Sequence, residues 1–257
     1  MKNFFKISLS ISLPLLFFLI ITLIRPFIVN KTIETNNSLF GLTVFIDPGH
    51  GGLDPGTSND VVLEKDINLK LSKKLYEKML SNNVGAYISR TSDYDLSSIN
   101  SKNHKLEDLK NRVKQVNESQ ANLLVSIHLN ALNNQSVHGP MVYYRKNDPA
   151  SQLFAQTMQN KLNEFSGLEK KCYQENYYIF RNTNIPAILI ECGFLSNPDE
   201  KSKLLTNKYQ EEITNVIFNG IKEFWLNVWN SCAIIRIVKK ITKNTTFRWQ
   251  LLTIVIQ

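Results

Sequence analysis

The chain has 257 residues, of which 43% are hydrophobic and 20% are charged, and this usage excludes a disordered, collagenous or coiled-coil protein. Its formal net charge of +8 is confined to the two ends, because residues 1–40 carry +3, residues 227–257 carry +5 and residues 41–226 are neutral. A neutral central segment lacks the electrostatic footprint of a nucleic-acid binder, so we expect no nucleic-acid partner. Three cysteines without a CxxC motif exclude a disulfide scaffold, and we expect Cys172 and Cys192 to be free thiols rather than a disulfide.

The first 40 residues predict a membrane anchor. Residues 1–6 are short and basic, and residues 7–24 form an uncharged apolar run of 18 residues. As a helix this run spans about 27 Å, which is close to the hydrocarbon thickness of a bilayer. Lys2 and Lys6 favour a cytoplasmic N-terminus and an extracytoplasmic body. Residues 25–40 are then a polar linker. The alternative is a cleaved signal peptide and secretion, although no A-x-A-like cleavage site occurs before residue 41.

From residue 41 the pattern alternates between strands and helices. Short apolar runs predict strands at 42–46, 84–88, 123–127, 141–144 and 187–190, and segments of 3.6-residue period predict helices at 64–82, 106–119, 148–165 and 207–226. Asp148-Pro149 and Asn197-Pro198 are typical helix starts. The alternation predicts a single α/β domain over residues 41–226, with a mostly parallel sheet flanked by helices. Residues 227–257 are basic and apolar, and we expect a tail of unknown role that does not extend the last helix.

Four polar residues stand at the ends of predicted strands or at the start of a helix. His50 lies in a glycine-rich loop after the first strand, His128 and Glu191 follow two later strands, and Glu64 opens a helix. Each has an ordinary explanation when it is taken alone, such as a structural histidine or a glutamate that interacts with a helix dipole. Two carboxylates directed toward a core, however, need cationic or metal partners. Two histidines and a glutamate fit a catalytic zinc site, which leaves the second glutamate to move protons.

Several sequence runs resemble a known family. VFIDPGHGGLDPG at 44–56, SIHLNA at 126–131 and IPAILIECGFLSN at 185–197, together with Glu64, resemble the zinc-dependent N-acetylmuramoyl-L-alanine amidases, which cut stem peptides from the glycan strands of peptidoglycan. The resemblance implies peptidoglycan as substrate, Zn²⁺ held by His50, Glu64 and His128, and Glu191 as the catalytic carboxylate. The architecture looks most like the germination-specific amidases of the CwlD type, which implies a role in spore cortex maturation, where muramic acid becomes a δ-lactam, and in germination.

Other functions remain open at this point. A vegetative cell-wall autolysin would use the same chemistry, and another zinc peptidase or carboxypeptidase could share the α/β fold. A catalytically silent wall-binding module is disfavoured because all four residues of the site are present. We expect Asn130, two residues after His128, to support the site or to contact the substrate. Control would come either from expression or from an activator protein of unknown identity.

Overall fold

The computed structural model describes residues 39–59 and 62–242. The predicted anchor at 7–24, most of the linker and the end of the tail at 243–257 lie outside the described residues. The chain divides after Phe40, and every helix and strand given below belongs to the second unit, Gly41–Gln257. Among the described residues, none of the helices combines the length and the apolar composition that crossing a membrane requires.

Six strands form the main sheet: β1 Thr43–Pro48, β4 Gly85–Ile88, β5 Leu123–Asn130, β6 Met141–Arg145, β7 Tyr173–Glu175 and β8 Ala187–Phe194. Their spatial order is β4-β1-β5-β8-β6-β7. Strands β4, β1, β5 and β8 are parallel, whereas β6 is antiparallel to β8, and β7 is parallel to β6. Two short strands, β2 Ser58–Asn59 and β3 Val62–Leu63, form a separate antiparallel pair.

The predicted α/β class is confirmed, but the sheet is mixed. All five predicted strands are present, and β5 and β8 each continue beyond their predicted ends at residues 127 and 190. Residues 131–140 connect β5 to β6 without a helix. Because a parallel connection generally needs a helical crossover, this short link accounts for the reversed direction of β6. The three-residue strand β7 was not predicted.

Within residues 39–59 and 62–242, six helices flank the sheet. They are α1 Glu64–Ser81, α2 His104–Glu118, α3 Pro149–Ser166, α4 Tyr178–Arg181, α5 Pro198–Leu204 and α6 Asn207–Thr242. The side chains of Asp148 and Asn197 cap α3 and α5 as predicted, by accepting hydrogen bonds from the Ala150 and Glu200 N–H groups. The expectation that the last helix ends near residue 226 was wrong. No glycine or proline interrupts residues 221–242, and the β-branched residues there lower helix propensity only slightly.

The two faces of the sheet have different partners. Helices α1, α3 and α6 pack together on one face, and α2 and α4 cover part of the other. On the second face, sheet residues and helix residues form one hydrophobic cluster that includes Phe45, Leu124, Leu189, Val116 and Phe180. Because side chains alternate along a strand, Asp47, His128 and Glu191 lie on this second face too, nearer the carboxyl ends of β1, β5 and β8.

Candidate active site

The structure brings His50, Glu64 and His128 together at the carboxyl ends of β1 and β5. His50 Nε2 lies 3.3 Å from Glu64 Oε2, and His128 Nδ1 lies 3.0 Å from Glu64 Oε1. One possible ligand atom from each residue lies within 4.8 Å of the others. Two imidazole nitrogens and one carboxylate oxygen form a donor set typical of catalytic zinc. The three residues therefore fit a metal ion, as the sequence predicted.

Glu64 is a buried carboxylate that other groups hold in place. Its oxygens accept hydrogen bonds from the backbone N–H groups of Thr57, at 2.8 Å, and Leu129, at 3.1 Å, and from the side-chain amide of Asn68, at 3.1 Å. Burial alone would raise the pKa of Glu64, but the hydrogen bonds and charges of His128 and His50 outweigh burial and lower it. Glu64 is therefore ionised and fixed in position before any cation binds.

His50 is oriented by Asp54, a residue that the sequence analysis did not single out. The His50 Nδ1 atom lies 2.9 Å from Asp54 Oδ2. When Nδ1–H donates to this carboxylate, the lone pair of Nε2 is available to a metal, which is a common arrangement at metal sites. His50 also has a φ of +62°, which is uncommon for a residue with a side chain. No sequence signal identifies Asp54, because a four-residue spacing brings side chains together on a helix and these two residues lie in a loop.

Two buried arginines hold the loop that carries His50. Arg112 donates from Nη2 to the His50 carbonyl oxygen and from Nη1 to Asp47 Oδ1, both at 2.6 Å. Arg90 donates from Nη2 to the Gly49 carbonyl oxygen at 3.0 Å. Burial would raise the pKa of Asp47, but Arg112 and Ser89 outweigh burial and lower it to about 2. These bonds satisfy buried polar groups of the loop and hold it against β1 and α2.

Gly49 is required by the close approach of the loop to His128. A Cβ atom at this position would lie 2.2 Å from His128 Cε1, a distance at which the imidazole would have to move. The absence of a side chain at Gly49 therefore allows His50 and His128 to lie close to Glu64 and to each other.

Glu191 lies beside the three ligands but has a different environment. It pairs with His128 in the parallel register of β5 and β8. Its Oε2 atom is buried and has no hydrogen-bond partner among the described residues. Burial, followed by the negative charge of Glu64, raises the pKa of Glu191 to about 8. Glu191, His50 and His128 line one cavity of about 330 Å³, which is large enough to admit part of a substrate.

The two remaining histidines of the chain do not line this cavity. His104 Nδ1 contacts the Ser97 hydroxyl, and His138 Nδ1 contacts the Ser136 carbonyl oxygen. Cys172 and Cys192 are free thiols, as expected.

Comparisons with known proteins agree with the geometry of the site. The family model described as N-acetylmuramoyl-L-alanine amidase matches residues 44–223, which include His50, Glu64, His128 and Glu191. The germination-specific N-acetylmuramoyl-L-alanine amidase of Bacillus subtilis is 33% identical over 194 residues, which cover 73% of this chain and 81% of that protein. The probable cell wall amidase LytH of Staphylococcus epidermidis is 32% identical over 196 residues, which cover 74% of this chain and 61% of that protein.

A solved structure is also similar. It is the CwlD amidase from Clostridioides difficile in complex with the GerS lipoprotein, with 34% sequence identity and a TM-score of 0.69. The similarity covers 72% of this chain and 98% of the CwlD chain.

Proposed function

The chain belongs to the N-acetylmuramoyl-L-alanine amidase family, and from this premise we propose that it uses zinc to hydrolyse the amide bond between N-acetylmuramic acid and L-alanine in peptidoglycan. The observation that carries the proposal is the cluster of His50, Glu64 and His128 next to a buried, unpartnered oxygen of Glu191. The first three residues would hold the metal, and Glu191 would move the proton.

The donor set suits a catalytic zinc ion, because three protein ligands leave a coordination position open. Bound there, zinc would supply Lewis-acid polarisation of the amide carbonyl and would lower the pKa of water to about 7. The protein prepares the ligands beforehand. Asp54 orients His50 through Nδ1, and the N–H groups of Thr57 and Leu129 fix the Glu64 carboxylate.

Glu191 would act as the general base and then as the general acid. Its Oε2 atom would accept a proton from the attacking water and deliver it to the leaving nitrogen of L-alanine, which departs readily only once it is protonated. The raised pKa of Glu191 suits a group that must bind a proton. A bound divalent cation would lower this pKa again, because positive charge stabilises the carboxylate. The proton affinity of Glu191 would then allow both uptake and release.

Fragment analysis tests the proposed reaction. The full-length chain is incubated with purified peptidoglycan, and the products are identified by mass spectrometry. We expect free stem peptides that begin with L-alanine, loss of activity after chelation and recovery on addition of Zn²⁺. A carboxypeptidase would instead release C-terminal amino acids and leave the muramic amide intact. Full activity in a metal-free sample would contradict the zinc assignment.

The proposal also includes a membrane anchor at residues 7–24, with the catalytic domain outside the cytoplasm. The uncharged run and the flanking Lys2 and Lys6 support it. Protease added to intact protoplasts should degrade the body of the protein, and the protein should fractionate with membranes. Protection from the protease would contradict this orientation, and a mature N-terminus near residue 30–40 would show a cleaved signal peptide and secretion instead.

The biological role that we propose is maturation of the spore cortex. The names of the germination-specific amidase and of the CwlD amidase support this role. A deletion strain should grow normally, form spores without muramic δ-lactam and fail to complete germination. A cell-separation defect in growing cells, or normal δ-lactam in the cortex, would favour a vegetative autolysin.

The GerS complex of the CwlD amidase supports a search for a lipoprotein partner, for example by co-purification from sporulating cells.

A further inference from the structure

Three tyrosines form a connected aromatic surface at the β7 edge of the sheet. Tyr143 of β6 contacts both Tyr173 of β7 and Tyr177, with ring centroids 6.1 Å and 5.9 Å apart. Tyr173 is 49% exposed and Tyr177 is 37% exposed, whereas Tyr143 is half-buried and packs against the hydrophobic cluster under α2 and α4. We call Tyr143, Tyr173 and Tyr177 the tyrosine platform.

The tyrosine platform is continuous with the catalytic cavity. Tyr177 lines that cavity together with Glu191. Tyr143 is paired with Leu189 across β6 and β8, so it shares a sheet face with Leu189 and Glu191. The Asn130 side chain, on the strand that carries His128, also forms a hydrogen bond with the Tyr143 phenol. A polymer that extends from the cavity across β6 and β7 therefore passes over the platform.

The chemistry of the platform favours an uncharged ligand. Burial raises the pKa of the Tyr143 and Tyr177 phenols, and the negative charges of Glu191 and Glu175 raise it further. The exposed Glu175 carboxylate beside the platform would repel the carboxylates of a stem peptide. The sugar rings of the glycan carry no such charge where the lactyl carboxyl group is bound to the stem peptide as an amide, and their C–H groups can pack on the electron-rich faces of aromatic rings.

We propose that the tyrosine platform binds the glycan strand of the substrate, with sugar rings packed on Tyr173 and Tyr177 while the muramic amide enters the cavity beside Glu191. The inference rests on the proposed amidase function. It adds the direction in which the substrate lies, because the glycan strand crosses β6 and β7. Tyr173 and Tyr177 are positioning residues, since they hold the polymer and do not contact the scissile bond.

Binding of peptide-free glycan tests this proposal without requiring catalysis. The probe is an oligosaccharide of N-acetylglucosamine, which is uncharged and carries no peptide, with a free stem peptide as the comparison ligand. Calorimetry on the full-length chain should show that Tyr173→Ala and Tyr177→Ala each raise the Kd for the glycan five- to tenfold, where tenfold corresponds to about 1.4 kcal/mol. The substitutions Tyr173→Phe and Tyr177→Phe should keep the Kd within about twofold, because the aromatic face remains.

Tyr87 provides a matched control, because it is 41% exposed and lies on β4 at the opposite edge of the sheet. Tyr87→Ala should leave glycan binding unchanged. Tyr173→Leu keeps an apolar side chain on β7 without the aromatic ring, so it serves as a second variant if the alanine variant does not fold, and it should also weaken glycan binding.

Three results would overturn the platform proposal. They are the absence of glycan binding by the unchanged chain, an equal Kd for glycan in the Tyr173 and Tyr87 variants, and a loss of affinity for the stem peptide instead of the glycan. Tyrosine-dependent glycan binding by a chain that releases no stem peptide from peptidoglycan would uphold the platform and contradict the proposed function alone.

Discussion

The two glutamates of the site, Glu64 on α1 and Glu191 on β8, have different surroundings. Glu64 of α1 accepts hydrogen bonds from two backbone N–H groups and from Asn68, and its pKa is lowered. Glu191 of β8 has a buried Oε2 atom without a hydrogen-bond partner among the described residues, and its pKa is raised to about 8. A metal ligand must stay ionised and fixed, whereas a proton carrier must gain and lose a proton. The two environments match these two requirements.

The largest effect should follow from removing a proposed metal ligand. His50→Ala, Glu64→Ala or His128→Ala should abolish stoichiometric zinc binding and lower amidase activity roughly 10³-fold, because several kcal/mol of Lewis-acid stabilisation is lost. Metal analysis after dialysis and stem-peptide release measure the two effects. His138→Ala is the control, since the side chain of this exposed histidine hydrogen-bonds to the Ser136 carbonyl oxygen and not to the three proposed ligands. Normal zinc content in the ligand variants would contradict the assignment.

A smaller loss of zinc affinity is expected when the His128 ligand is kept but displaced. Gly49→Ala places a methyl group 2.2 Å from His128 Cε1 and should weaken zinc affinity at least about tenfold, as disturbed support of a ligand commonly does. Gly85→Ala is the control, because its Cβ atom would crowd the Thr43 side chain of β1, with Oγ1 at 2.6 Å, and would not touch the proposed ligands. Equal zinc affinity in the two variants, measured by competition with a chelator, would show that the approach of Gly49 to His128 is unimportant.

Asp54→Asn tests the orientation of His50. The substitution preserves the size of the side chain but removes the negative charge that holds Nδ1–H, so zinc affinity should fall about tenfold with little change in thermal stability. Asp66→Asn, at an exposed position in the first turn of α1, should change neither quantity. An unchanged zinc affinity in Asp54→Asn would mean that His50 is oriented by its backbone alone.

The smallest effect concerns the ion pair between Asp47 and Arg112, which holds the loop that carries His50. It appears as a pH dependence of the free energy of unfolding. Because the pKa of Asp47 in the folded protein, about 2, lies below its ordinary value of 3.8, its carboxylate stabilises the fold above about pH 5, and this contribution is lost as the pH falls toward 2. The free energy of unfolding of the unchanged chain relative to Asp47→Asn, measured in chelator, should fall by about 1 kcal/mol between pH 6 and pH 3. A difference independent of pH would contradict the ion pair with Arg112.

The places of the two glutamates in the fold could be predicted from the sequence, because Glu191 follows an apolar run and Glu64 opens a periodic helical segment. The periodicity and the two proline-containing helix starts predicted five strands of the sheet and the main helices. They placed His128 and Glu191 at strand ends, whereas the structure shows that these two strands are neighbours. Strand β7 was missed because its three residues are exposed and carry no apolar pattern. The end of α6 was missed because β-branched residues are only a weak signal against a helix.

The surroundings of each glutamate could not be predicted, since they depend on contacts between distant segments. Arg112 reaches Asp47 across 65 residues of sequence, and the Leu129 N–H reaches Glu64 across the same separation. Asp54 is local to His50, but its role becomes visible only when the loop geometry places Oδ2 beside Nδ1. Residue type and spacing therefore identify the reactive groups, whereas tertiary contacts determine their protonation and orientation.

Glu191→Gln tests the division of roles between the two carboxylates most directly. The variant keeps the size of the side chain but cannot accept the proton, so zinc content should equal that of the unchanged chain while stem-peptide release falls at least ~10²-fold. Metal analysis and product analysis are made on the same preparation of full-length protein. Loss of zinc from Glu191→Gln would make Glu191 a ligand, and full activity with zinc retained would remove it from proton transfer; either result would contradict the account.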